Sequence, residues 1–239
     1  AVNIAIFLWL YWSCAGEAPL RRSPLLDDYL RNLVSETGQP RDILVRGTSL
    51  YELTLYRFGF RSAEPSVLTL LTSMFLHADA LHLVGNMVFL WIFGANVEAK
   101  LGRTRYLLVY IVTGLAATLF YAAFQGSSHV PLVGASGAIY GILGCYFLWF
   151  PYHRVRLFVW VVVIATVTRV PARVVLAVYL VVDNLLPFLR GASGGFAGHD
   201  GNVAYGAHVG GFMAGLLCVK VVEALREPWQ VASSGRPSP

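Results

Sequence analysis

Four polar residues set in apolar surroundings, Ser136, His208, His82 and Asn86, are the ones in this chain that could do chemistry. Ser136 lies in Pro131-Leu132-Val133-Gly134-Ala135-Ser136-Gly137-Ala138-Ile139-Tyr140-Gly141, with one glycine two positions before it and another directly after. Gly134 and Gly137 leave room for a substrate backbone and free a backbone N–H beside the hydroxyl, which an acyl-transfer nucleophile needs. A histidine brought to that serine could take its proton as general base and return it to a leaving amine. His82 and Asn86 stand at i and i+4, on one helix face, where their N–H groups could join that of Ser136 around a developing oxyanion. Taken alone, Gly-x-Ser-Gly in a membrane helix also describes a packing seam of small residues. A metal site built from His77, His82 and His208 is the chemical rival. No His-Glu-x-x-His occurs, and the nearest carboxylate, Asp79, belongs to a loop, so the reading calls for no metal and no cofactor.

What must hold these residues is a membrane. Of 239 residues, 56% are hydrophobic and 13% charged, too little polar surface for a soluble domain of this length. The expected fold class is an all-α polytopic membrane protein. The net charge of +5 is spread over short basic clusters without interleaved aromatics, which reads as topology information and against nucleic-acid binding. Cys14, Cys145 and Cys218 fall in apolar stretches, against a disulfide framework or a thiolate metal site.

In order, the chain divides into a first membrane helix within 1–16, a polar first loop with interfacial elements over 17–76, a core over 77–222, and a polar tail over 223–239. The first apolar run, 2–12, is too short to span and is expected to begin upstream of Ala1. Spans two to six are expected at 81–97, 106–124, 134–150, 172–189 and 205–222. The fourth covers only roughly 25 Å of a hydrocarbon core nearer 30 Å, so one end starts below the membrane surface. The apolar piece 157–168 is expected at the interface or against the bundle. The tail, rich in Pro and Ser, is expected to be disordered.

Basic residues flank the turns after spans two and four (Lys100, Arg103, Arg105, Arg154, Arg156) and the tail (Lys220, Arg226), whereas the turns after three and five have only Arg190. Six spans with both ends in the cytoplasm follow. Spans two, four and six then enter from the outer face, and His82, Asn86, Ser136 and His208 arrive at one depth just below it. Gly137, Gly141 and Gly144 on span four, and His208, Gly211 and Gly215 on span six, form two stripes. Docking them is expected to carry His208 to Ser136.

Three segments, His77-Ala-Asp-Ala-Leu-His82-Leu-Val-Gly-Asn86, Gly134-Ala-Ser136-Gly137 with Tyr140, and Ala207-His208-Val-Gly-Gly211-Phe-Met-Ala-Gly215, together resemble the rhomboid family of intramembrane serine proteases over 72–217. The resemblance implies a six-helix bundle with a water-filled cavity open to the outer face and a mobile fifth helix as substrate gate. It also implies Ser136 as nucleophile, His208 as base of a dyad without aspartate, His82 and Asn86 at the oxyanion, Tyr140 stacked on the His208 ring, and His77 as a structural histidine of the first loop. One departure is Leu68-Thr69, where many members carry a Trp-Arg pair that braces the first loop.

The function expected is that of a serine-type endopeptidase cutting in or near the transmembrane helix of another protein. Its partners are transmembrane protein substrates and the lipid bilayer. It is expected in the cell membrane, multi-pass, with the site opening to the extracytoplasmic face. Because a helix hides its carbonyls in hydrogen bonds, the substrate must unwind locally before attack. A catalytically inactive rhomboid-like protein that binds membrane clients is the alternative, although such relatives usually lack the serine or the histidine. A small-solute channel or transporter is a third reading, but no inverted repeat or broken helix pair is visible. Asp183, in span five, has no assigned role.

Overall fold

The computed structural model describes residues 2–14, 17, 23–161, 164–194 and 204–234, and these are mostly helical. After α1 (Val2–Cys14) come four helices of the first loop, α2 (Pro24–Thr37), α3 (Arg41–Gly47), α4 (Leu50–Phe58) and α5 (Val67–Thr72). α6 (Ala80–Phe89) continues through a π turn, Leu90–Gly94, into α7 (Ala95–Leu101). Next are α8 (Arg103–Gln125), α9 (Ser136–Trp149) and a hairpin of β1 (Arg154–Val161) and β2 (Ile164–Pro171). α10 (Ala172–Leu180) passes through a second π turn, Val181–Leu185, into α11 (Leu186–Gly194), and α12 (Tyr205–Ser234) closes the described chain. Among the described residues four helices are long and apolar enough to cross a membrane: Ala80–Leu101, Arg103–Gln125, Ala172–Arg190 and Tyr205–Leu225. Val2–Cys14 and Ser136–Trp149 are shorter apolar helices.

The boundaries have local causes. α8 is bracketed by Gly102 and Gly126, both at positive φ, where a β-carbon is strained. Asp79 caps α6 by accepting from the His82 N–H at 2.8 Å. Ser49 and Glu52 form a capping box on α4. α9 stops at Pro151, which can neither donate to the helix ladder nor let its predecessor stay helical.

Two expectations are corrected. The chain is not all-α: residues 154–171 pair as an antiparallel hairpin, with Arg156 opposite Arg169. Val155, Val159, Val161, Ile164, Thr166, Val167, Thr168 and Val170 are β-branched, and such a run packs on a pleat better than on a helix. The helix expected at 205–222 also does not end there, because α12 carries on through Ser234. Glu223-Ala-Leu-Arg-Glu227 are strong helix formers, and their polarity does not interrupt the backbone ladder.

Large apolar side chains such as Leu81, Trp91, Leu107, Val178 and Leu217 are exposed on the spanning helices, as surfaces that meet lipid must be. Inside, α9 is the hub. Every residue from Gly137 to Tyr146 is buried, against α8 on one side and α12 on the other. The first loop has a small core of its own around Leu26, Leu30 and Leu53. It is tied to the bundle by a bridge between Phe60 and Leu132 and by Tyr51, whose hydroxyl donates to the His77 carbonyl at 2.5 Å. Leu68 is exposed and Thr69 bonds only its own turn, so this loop is braced elsewhere. Arg61 lies over the Tyr56 ring at 4.0 Å and donates to the Tyr56 carbonyl.

Candidate functional site

Ser136 is the first residue of α9, so its N–H has no helical carbonyl to bond. The approach to it needs glycine at 134 for two reasons. Gly134 has φ 131°, and a β-carbon there would sit 2.9 Å from the His82 ring. Its N–H is anchored to the Ser73 carbonyl at 2.9 Å, which fixes the loop just ahead of the serine.

His208 reaches Ser136 from α12, with Nε2 2.9 Å from the hydroxyl oxygen. The close approach of α12 to α9 depends on absent side chains. A β-carbon on Gly211 would overlap the Gly137 carbonyl, one on Gly215 the Gly141 carbonyl, and one on Gly144 the Phe212 carbonyl. α9 and α12 therefore do meet along a glycine seam, but Gly137 and Gly141 serve it differently from the expectation. Their own missing side chains face α8, where β-carbons would press on Ala117 and Thr113. Their carbonyls, not their bare α-carbons, are what α12 lies against. α9 is thus wedged between α12 at backbone distance and the small side chains of α8.

Tyr140, one turn below Ser136, stacks on His208 with ring centroids 4.2 Å apart and planes 6° from parallel. The stack continues through Tyr179 of α10, at 5.9 Å, to Phe89 of α6, at 5.3 Å. Asn86, one turn below His82 on α6, is buried, and its Nδ2 has no partner among the described residues, a donor left available. His77 is buried on the loop side, edge-on to His82 with centroids 5.3 Å apart. Burial, with His82 close by, pushes its imidazole down from 6.5 to about 4. Among the described residues no three His, Cys, Asp or Glu side chains are grouped so that they could hold an ion.

One residue at the site escaped the sequence reading. Asn184, on the π turn within the apolar helix Ala172–Arg190, is 2% exposed. Its Oδ1 is 2.7 Å from His208 Nδ1, and its Nδ2 donates to the Tyr140 hydroxyl at 2.8 Å and to the Tyr179 carbonyl at 3.0 Å. Its neighbour Asp183, the polar residue that the sequence does single out, is exposed.

Ser136, His208 and the residues around them lie inside a segment, 64–224, that matches the family model described as the Rhomboid domain. The chain belongs to the rhomboid family. Among similar rhomboid proteins, the mitochondrial Rhomboid protein 1 of Saccharomyces cerevisiae is 31% identical over 156 residues, 64% of this chain and 41% of that protein. Rhomboid protease GluP of Bacillus subtilis is 38% identical over 104 residues, 42% of this chain and 20% of that protein. The putatively named YdcA protease of the same bacterium is 35% identical over 94 residues, 39% of this chain and 46% of that protein. The chain thus spans less than half the length of each of these relatives. As a rhomboid with several apolar helices it is a multi-pass membrane protein. Its relatives include bacterial and mitochondrial proteins, so the family alone does not choose the membrane.

Proposed function

We propose that this rhomboid is an intramembrane serine endopeptidase that cuts membrane proteins in or near their transmembrane helices. The observation that carries the reading is the 2.9 Å contact between Ser136 Oγ and His208 Nε2 at the head of a buried helix. Ser136 Oγ attacks the scissile carbonyl carbon while its proton passes to His208 Nε2. The C–N bond then breaks, the proton leaves on the amine, and water hydrolyses the acyl-enzyme by the reverse route. The Ser136 N–H, Asn86 Nδ2 and the His82 ring are assigned to the oxyanion, and Tyr140 and His77 to support. A small cavity beside Ser136, walled by Ser73, Met74, Gly114, Thr118 and Ala207, suits a small side chain at the cut.

On this reading α1 and α9 complete a six-helix bundle despite their length. The core is 77–222, preceded by a first membrane helix in 1–16 and a first loop over 17–76. The basic turns put the site toward the extracytoplasmic face of the cell membrane.

The test is cleavage of a model transmembrane substrate by the purified chain, alongside labelling with a fluorophosphonate. Wild type is expected to cleave and to label, and Ser136→Ala to do neither while its melt is unchanged. Cleavage by Ser136→Ala above trace level removes the serine mechanism. A folded wild type that binds such substrates, but neither cuts nor labels, is the inactive client-binding protein.

A further inference from the structure

We infer that Asn184 is a positioning residue that holds the His208 ring in the one tautomer able to accept the Ser136 proton. The inference rests on Ser136 and His208 being the nucleophile and base. A neutral imidazole carries its hydrogen at either Nδ1 or Nε2, and only a lone pair at Nε2 can receive the serine proton. The stack on Tyr140 fixes the plane of the ring but is indifferent to which nitrogen is protonated. The choice falls to the partner of Nδ1.

That partner has a fixed sense. Asn184 is 2% exposed and cannot turn to water. One side of its amide faces the Tyr179 carbonyl at 3.0 Å, a group that only accepts, so the NH2 must lie there. The other amide hydrogen goes to the Tyr140 hydroxyl at 2.8 Å. Oδ1 is then the atom left for His208 Nδ1 at 2.7 Å, and an acceptor at that distance requires an N–H on Nδ1. Nε2 is left bare at 2.9 Å from Ser136 Oγ. A relay of orientation runs from a backbone carbonyl of the fifth membrane helix, through one amide, to the base on the sixth. Being neutral, the amide adds no buried charge and selects the tautomer without ion-pairing to the imidazolium.

The plain alternative is an interhelical hydrogen bond that only adds stability. Such bonds contribute little on average in membranes, so the fold should survive its loss, and the two roles separate in kinetics. The experiment uses the purified full chain in micelles with one model transmembrane substrate and the variants Asn184→Leu, close in size without an acceptor, and Asn184→Asp, which keeps one. Asn184→Leu is expected to lower kcat by about 10- to 100-fold, part of what general base catalysis contributes, with KM within about twofold and a near-unchanged melt. Asn184→Asp is expected to recover most of kcat. It should also move the acidic limb of the kcat/KM profile to higher pH, because a carboxylate at Nδ1 favours the imidazolium; Tyr140 and His82, the other titratable groups beside the ring, are the same in both variants. In 15N spectra of histidine-labelled protein, His208 is expected to show a protonated Nδ1 and a bare Nε2 in wild type and to lose that pattern in Asn184→Leu. Wild-type kcat in Asn184→Leu, a loss confined to KM or matched by a fallen melt, or a wild-type ring protonated at Nε2 would each overturn the inference. An inactive Ser136→Ala beside a fully active Asn184→Leu sinks the positioning role alone, whereas an active Ser136→Ala sinks the dyad beneath it.

Discussion

Helices α9 and α12 meet backbone to backbone through glycine, and α8 closes on α9 with side chains set against its glycines, whereas the helices Ala80–Leu101 and Ala172–Arg190 lean on this trio through side chains. Over their membrane stretches Arg103–Gln125 and Tyr205–Leu225 are each 33% buried, Ala80–Leu101 28% and Ala172–Arg190 only 17%. The serine and the histidine both belong to the tightly packed trio. The groups assigned to the oxyanion and to orientation, His82, Asn86 and Asn184, come from the two looser helices, each of which carries a π turn. The difference is one of tolerance. A nucleophile and its base lose roughly 10² in rate for a displacement of about 1 Å, so on the proposed reading Ser136 and His208 belong where displacement is hardest. Donors that act on the transition state can sit on elements that yield, since their loss is graded.

The sharpest way to break this contrast is to force the trio apart. Gly211→Leu or Gly215→Leu drives a side chain into a carbonyl of α9, and cleavage is expected to fall to background together with a lowered melting temperature. Leu217→Ala, on the exposed face of the same helix, should change neither. A Gly211→Leu protein with wild-type activity and melt would show that the seam does not set the distance between Ser136 and His208. A smaller effect is expected at the edge. Loss of one oxyanion donor costs on the order of 10² to 10³ in turnover where it acts alone. With His82 and the Ser136 N–H sharing the task, Asn86→Ala should fall at or below the bottom of that range, with KM unchanged. Steady-state kinetics check it, and an effect on KM alone would move Asn86 to substrate binding.

The mildest expectation concerns stability and pH. Folded His77 resists protonation down to about pH 4, whereas the unfolded chain takes the proton near 6.5. The unfolded state therefore binds more protons between these values, and the contribution of the neutral ring is complete above about pH 6.5 and is lost as pH falls toward 4. The melting temperature of the wild type should drop across that window, and His77→Asn should flatten the slope. An equal slope in both proteins would mean that His77 does not carry the dependence.

Much of the site is legible before any coordinates. Ser136, His208, His82 and Asn86 stand out because polar groups are costly inside lipid and these share one depth, whereas Tyr140 is picked out only by the family resemblance. Gly211 and Gly215 read as a seam because they recur at helical spacing. The facing of Gly137 and Gly141 was less legible, because a glycine stripe does not say whether its bare α-carbon or its carbonyl meets a given neighbour. Asn184 was hidden by arithmetic. Ala172 and Leu176 are buried, and Asp183 follows Ala172 by 11 residues, close to three turns at about 3.6 residues each. A regular helix would turn Asp183 inward, but the π turn adds one residue and presents Asn184 instead. The hairpin is less legible because only its ends alternate, while the middle, 157–165, is a continuous apolar run that periodicity alone does not tell from a buried helix.

That extra residue has a further consequence for the helix Ala172–Arg190. A π turn amounts to an insertion absorbed without breaking the helix, so α11 is displaced by one position against the count that α10 begins. If the turn relaxed to ordinary geometry, α11 would swing by about 100° about the axis and Asp183 would take the place of Asn184 beside the base. Deleting Val182 would instead straighten the helix and leave Asn184 pointing inward. The π turn is thus what sets an amide, and not the neighbouring carboxylate, beside the ring of His208.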